Sequence, residues 1–263
     1  MGRRILAFAL AAAGWAAAAE LKPETRAAFD RYIRRVESDV EAQTRAGEGF
    51  LFVANNERRA VLRAGTILTE PHIPRGELKV PGGLVHDWMG AVFIPATRLQ
   101  PVLDLVQSYD RHKEYYTPEV VDSRLLARSD GDFKIRLRLL KKKVLTVVLD
   151  TEHAVHYESH DPLRSWSFSR STRIVEIQDA GRPSEKALPP DTGHGFLWRL
   201  NSYWTFQERD GGVYVECEAV SLTRDVPRGL GWVIEPIIRS LPRESLANTL
   251  RATRAAVRAR GIE

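Results

Sequence analysis

Cysteine is almost absent: Cys217 is the one thiol in 263 residues, which excludes an intramolecular disulfide and leaves the fold to its core even in an oxidising compartment. Placed between Val215 and Ala219 in a strand-like stretch, it reads as a small buried apolar residue, with no base or helix N-terminus beside it in sequence to activate a thiolate. No apolar run reaches the ~20 residues of a bilayer-spanning helix. A phosphate-cradling glycine loop and a Gly-x-Ser-x-Gly elbow are both missing, so nucleotide-dependent and elbow-type hydrolase chemistry rank low. No fixed-period repeat occurs, and low complexity is confined to the alanine-rich start. The excess of 39 Lys+Arg over 34 Asp+Glu, a formal net charge of +5, is too mild to imply nucleic acid. Arg136-Leu137-Arg138 and Lys141-Lys142-Lys143 read as solvated faces or turns, with peripheral contact to an anionic membrane surface as the alternative.

What is present begins with an export signal. Arg3 and Arg4 precede an apolar stretch from Ile5, and Ala17-Ala18-Ala19 offers a small-residue cleavage site before Glu20. The sequence therefore predicts a signal peptide over residues 1–19, cleaved near Ala19, and a periplasmic or secreted mature chain; a retained anchor is the competing reading. Removal of the signal lowers the net charge of +5 by two. Residues 20–83 read as a helical extension and linker. Phe29, Tyr32, Ile33, Val36 and Val40 fall at helical spacing, and Pro71, Pro74 and Pro81-Gly82-Gly83 then punctuate short apolar pieces.

The main domain is expected over 84–263. A strand from Leu84 to Pro95 precedes a helix from Thr97 to Gln107 and a shorter helical piece from Tyr109 to Tyr116, which Pro118 ends. Six strands follow, between Glu119 and Thr223, separated by turn formers such as Ser129-Asp130-Gly131 and Asp210-Gly211-Gly212. This order predicts an antiparallel meander closed by an amphipathic helical tail from about Gly229 to Arg260, an α+β fold. Pro242 is expected to divide that tail into two segments. A curved sheet under one long helix tends to enclose a hollow, which implies an apolar small molecule or lipid as partner.

Strand alternation assigns the faces. Phe133, Ile135, Leu137 and Leu139 point inward, as do Phe196, Trp198, Leu200, Trp204 and Phe206; Glu216 and Glu218 are expected outside, near Arg199 and Asn201. On the strand from Ser165, alternation through Trp166, Phe168, Thr172 and Ile174 brings Arg170 inward, with Asp150 and Glu152 beside it from the preceding strand. Asp150, Glu152 and Arg170 could then grip a polar head group, or form a structural ion pair, or return to solvent if one bulge reverses the register. Trp166, Trp198, Trp204, Tyr115 and Tyr116 are the candidate aromatic lining, with plain core packing as the alternative. His153 and His156 fall on opposite strand faces and His160 in a turn, so their spacing does not make a metal site, and no cofactor is implied.

The segment Ser108-Tyr109-Asp110-Arg111-His112-Lys113-Glu114-Tyr115-Tyr116, followed by Pro118-Glu119-Val120-Val121-Asp122-Ser123-Arg124, resembles the Asp-Tyr-x-x-Tyr-x-x-Phe-x-Pro block of bacterial START and polyketide cyclase-like (SRPBCC) proteins, including coenzyme-Q-binding members. Phe196-Leu197-Trp198-Arg199-Leu200, Asp210-Gly211-Gly212-Val213-Tyr214-Val215 and the stretch Leu241 to Val257 are similar to the last hairpin and helix of the same families. The resemblance covers roughly Leu84 to Arg260. It implies a helix-grip fold and a cavity for lipids, sterols, quinones or polyketides, and it carries no catalytic motif across. Three functions follow as expectations: an exported carrier of a hydrophobic molecule, a cyclase-like enzyme using Asp150, Glu152 or Arg170, and an envelope interaction module acting through the N-terminal helix.

Overall fold

The computed structural model describes residues 19–45, 49–53, 55–142, 146–225 and 231–260, with 231–239 described by backbone alone. The expected signal peptide, residues 1–19, lies outside the described residues except for Ala19. Helices α1 (Pro23–Arg45) and α2 (Asn56–Arg63) lead into short strands β1 (Leu68–Pro71) and β2 (Glu77–Val80), then β3 (Gly83–Pro95), α3 (Leu99–Val106) and α4 (His112–Tyr115). The meander β4 (Val120–Ser129), β5 (Asp132–Lys142), β6 (Thr146–Asp161), β7 (Arg164–Gln178), β8 (Arg199–Arg209) and β9 (Gly212–Arg224) follows, and α5 (Gly231–Arg260) ends the chain.

The meander strands are sequential antiparallel neighbours, β9 pairs with β3, and β3 pairs with both β1 and β2. Asp210 and Gly211 turn the last hairpin with φ of 56° and 75°, the positive pair a tight two-residue hairpin needs. This is the α+β arrangement expected, a large antiparallel sheet gripping a C-terminal helix.

The described parts of residues 20–83 pack on the sheet. β1 and β2 are edge strands of the sheet, and α1 lays Phe29, Ile33, Val36 and Val40 on its convex face against Tyr203, Val220 and Leu222. Phe50, Leu51 and Val53 cover the neighbouring part of that face, around Ala91, Phe93 and Tyr214. Both faces of the sheet are therefore covered, which changes how its strands must be read.

On the concave face, α5 is one unbroken helix; Pro242 lies inside it and does not divide it. Loss of one backbone donor is tolerated where tertiary packing holds the helix on either side. The contact point is Gly90 of β3: a Cβ there would stand 2.6 Å from Leu250 Cδ1 and 2.9 Å from Leu246 Cγ. The missing side chain lets α5 press Leu246, Leu250 and Val257 into a solid core with Val92, Val215 and α3.

Candidate functional site

That solid core ends part-way across the sheet. Register sets the rows of concave-face side chains: Tyr157, Ser167, Trp204 and Cys217 form one, and Val155, Ser169, Ser202 and Ala219 the next. In the middle of the second row stand two serines and an alanine, too small to reach the helix above. The result is a cavity of about 960 Å³, at the upper end of the ~300–1,000 Å³ usual for small-molecule sites.

The walls are greasy. Ile135, Leu137 and Leu139 come from β5, Leu149 and Val155 from β6, and Tyr109, Tyr115 and Tyr116 from the helical segment before β4. Leu241, Ser245, Thr249 and Ala252 of α5 form the roof. Exposed lining residues Thr117, Pro118, Asn248 and Arg251 mark the mouth. There Glu119 accepts from Lys141 and, at 2.7 Å, from Asn248 Nδ2, while Lys141 also reaches Ser245 Oγ at 2.6 Å, lacing the sheet side to the roof.

The polar groups inside are held neutral. Burial lowers His153 to about 4, and its ring nitrogens lie 3.1 Å from Thr151 Oγ1 and 3.4 Å from Ser169 Oγ. Burial likewise lowers His112 to about 4 and raises Tyr116 to about 12; it pushes up the Tyr109 and Tyr157 hydroxyls, which lie 3.1 Å apart, and the Cys217 thiol. Each shift is a desolvation effect, opposing whichever form is charged.

His153 gives a pH prediction. Its folded pKa lies below the unfolded value, so the unfolded state binds the extra proton and stability falls as pH drops from about 6.5 toward 4. His153→Gln should remove about 1 to 2 kcal/mol of the stability lost between pH 7 and pH 5, read by urea denaturation at each pH. The comparison with wild type cancels Glu216, which burial raises to about 7 and whose contribution runs the other way, falling as pH rises. An unchanged pH slope in the variant would contradict a buried neutral imidazole.

Of the residues singled out from sequence, Trp204, Tyr115 and Tyr116 line the cavity. The others lie elsewhere. Asp150 is on the convex face; burial alone would raise its carboxyl, but hydrogen bonds from Arg138 and Arg136, each 2.7 Å at the shortest, hold it below the usual range. Glu152 pairs with Arg173 at 3.7 Å. Arg170 is exposed, lies over the Phe168 ring and donates to Glu37 Oε1 of α1 at 2.5 Å. Trp166 packs with the cluster around Phe50 and Phe93, also on the convex side.

The concave face of β7 belongs instead to Ser167 and Ser169. On this strand the large aromatics Trp166 and Phe168 face the covered back of the sheet, and the serines face the hollow. A bulge between Glu152 and His153 then shifts the β6–β7 register by one, so that Ile174 and Thr151 pair while Ser171 pairs with His153. Trp198 departs from its alternation because it precedes the first regular residue of β8, Arg199, and it packs against the α1 cluster. Glu216 and Glu218 are on the convex face but buried, 1% and 3% exposed, paired in register with Thr205 and Tyr203 rather than standing near Arg199 and Asn201. The sequence signal for the true floor was present as Ser165-x-Ser167-x-Ser169-x-Ser171, a hydroxyl at every second position of one strand.

A large antiparallel sheet closed over by a long terminal helix, with a hollow between them, is a helix-grip arrangement. No family model matches the sequence, and no curated protein matches it. Solved structures do. A STAR-related lipid transfer protein from Xanthomonas axonopodis is 18% identical with a TM-score of 0.45, over 70% of this chain and 99% of that one. A START superfamily protein from Mycobacterium smegmatis is 12% identical with a TM-score of 0.44, over 68% of this chain and 99% of that one. The Zhui aromatase/cyclase from Streptomyces sp. R1128 is 14% identical with a TM-score of 0.42, over 67% and 95%.

Proposed function

We propose that the protein is an exported carrier that encloses a neutral, mostly apolar small molecule, lipid- or quinone-like in character, between the sheet and α5. The observation that carries this reading is the cavity of about 960 Å³ with aliphatic and aromatic walls, a floor of serines, and buried His153, Tyr116 and Tyr157 held uncharged, the charged lining residues Glu119, Lys141 and Arg251 being confined to the mouth. At the serine floor, away from Lys141 and Arg251 at the mouth, an ionised group would lose its hydration without gaining a counter-charge, whereas a hydroxyl or carbonyl on the ligand can exchange hydrogen bonds with Ser169, Ser202 or His153. Burial of ~300 Å² of apolar ligand surface at ~25 cal/mol per Å² supplies about 7.5 kcal/mol before the cost of immobilisation.

The cyclase alternative loses support because Asp150, Glu152 and Arg170 stand on the far face of the sheet, and His153 and the tyrosines are shifted away from neutral pH in the directions that hinder proton transfer. The interaction-module alternative loses it because the apolar stripe of α1 is spent on the sheet. Export rests on Arg3, Arg4 and the apolar stretch that follows them, and exposed Arg251 at the mouth fits unloading at an anionic lipid surface.

The test is displacement of the neutral fluorophore N-phenyl-1-naphthylamine by two competitors of equal chain length, hexadecanol and palmitate. The alcohol should displace it at micromolar concentration and the carboxylate at least tenfold less well. Equal or stronger displacement by palmitate would overturn the selection for neutral ligands, and failure of the fluorophore and both competitors to bind would overturn the carrier reading.

A further inference from the structure

A second constellation lies on the opposite face of the sheet from the cavity. Asp87 of β3 and Glu218 of β9 are 1% and 3% exposed, and His72, just after β1, stands over both with a third of its side chain open to solvent, 34%. The His72 Nδ1 atom is 2.8 Å from Glu218 Oε1 and 3.5 Å from Asp87 Oδ1, and the three ligating atoms all lie within 4.8 Å of one another. One oxygen of Asp87, Oδ2, accepts from the Tyr32 hydroxyl of α1 at 2.5 Å. The other, Oδ1, is buried, turned toward His72 and without a hydrogen-bond partner.

Two buried carboxylates facing one imidazole leave a deficit of positive charge. Among the described residues, the ion pairs of Asp87 and Glu218 are with His72 alone. Asp87 Oδ1 is buried without a hydrogen-bond donor and shares one imidazole with Glu218, an arrangement that costs several kcal/mol. A divalent ion would supply what is missing. We propose that His72 Nδ1, Asp87 Oδ1 and Glu218 Oε1 form a binding site for a divalent transition-metal ion of the zinc class, on the convex face and separate from the cavity.

The donor chemistry and the spacing both fit. One imidazole nitrogen and two carboxylate oxygens are borderline-to-hard ligands of the kind Zn²⁺ accepts, with bonds near 2.0–2.2 Å. Tetrahedral ligands at that distance stand roughly 3.3–3.6 Å apart, which the 3.5 Å separation of His72 and Asp87 already meets. The 2.8 Å hydrogen bond from His72 to Glu218 must open by under roughly 1 Å, with the metal replacing its proton. Tyr32 has the place of an outer partner, fixing the carboxylate through the oxygen that does not bind the ion. The open side of His72 gives the ion its entry and leaves a position for water. Because His72 follows β1, Asp87 and Glu218 lie on neighbouring strands and Tyr32 is on α1, an ion here fastens the N-terminal segments to the sheet.

The experiment is titration of the full-length, tag-free protein, stripped with EDTA, with ZnCl₂ by calorimetry, alongside thermal unfolding with and without the metal. The expected result is one equivalent bound at micromolar Kd or tighter, with Tm raised by several degrees. His72→Ala, a change at a partly exposed side chain, should weaken binding at least 100-fold, and Tyr32→Phe about tenfold, each with a fold intact by circular dichroism. No saturable zinc binding by the wild type, or equal binding by His72→Ala, would overturn the proposal.

Discussion

Ser202→Trp is expected to weaken binding of the neutral apolar fluorophore by at least ~100-fold, a loss of about 2.8 kcal/mol, while leaving the fold in place. Ser202 stands between Ser169 and Ala219 in the row of small side chains that makes the hollow. An indole projecting from that position fills the space a ligand would use. The substitution removes no backbone pairing, and an aromatic is a good strand residue; what it gives up is the 3.2 Å hydrogen bond from Trp204 Nε1 to Ser202 Oγ. Trp166→Phe is the matched control. Alternation in the sequence put Trp166 among the lining residues, the structure puts it on the convex face, and its truncation should leave affinity within about twofold, since it removes no contact from the cavity. Binding that survives Ser202→Trp but fails in Trp166→Phe would reverse the assignment of the two faces.

Glu216→Ala is expected to lower stability by about 3 to 5 kcal/mol, the largest single loss on the convex face. Its carboxylate accepts from the backbone amides of Phe52 and Val53, both at 2.8 Å, and from Thr205 Oγ1 at 3.0 Å. These bonds clip the segment carrying Phe50, Leu51 and Val53 onto the sheet. Alanine leaves three donors, two of them buried and one half-buried, without an acceptor, each buried one at a cost of ~1–3 kcal/mol. At ~2–4 °C per kcal/mol for a chain of this size, Tm should fall by about 6 to 20 °C. Glu216→Gln keeps one acceptor oxygen and should fall between the two. Urea denaturation followed by circular dichroism measures both, and a loss under about 1 kcal/mol for the alanine variant would contradict the clip.

The two predictions also show where the sequence was legible. The strands from Leu84 to Thr223 and the terminal helix follow from alternation and turn chemistry, because Asp-Gly turns and Phe133-x-Ile135-x-Leu137 admit few other readings. The faces of β7 were misread for a physical reason. Placing Trp166 and Phe168 inward assumes that one face of the sheet is core and the other solvent, but here α1 and the Phe50 segment cover the back, while the front is hollow. On β7 the serine face is therefore the site and the aromatic face is core. The bulge at Glu152 and His153, the irregular approach of Trp198 to β8, and the burial of Glu216 and Glu218 depend on contacts with distant segments that no local pattern encodes.

Native mass spectrometry of protein purified without detergent, followed by solvent extraction and mass analysis of whatever is released, tests the central claim most directly. Wild type is expected to carry close to one equivalent of an uncharged apolar molecule, and Ser202→Trp none. A wild-type protein that is empty after purification from its native host and takes up no neutral apolar compound when supplied would contradict the account.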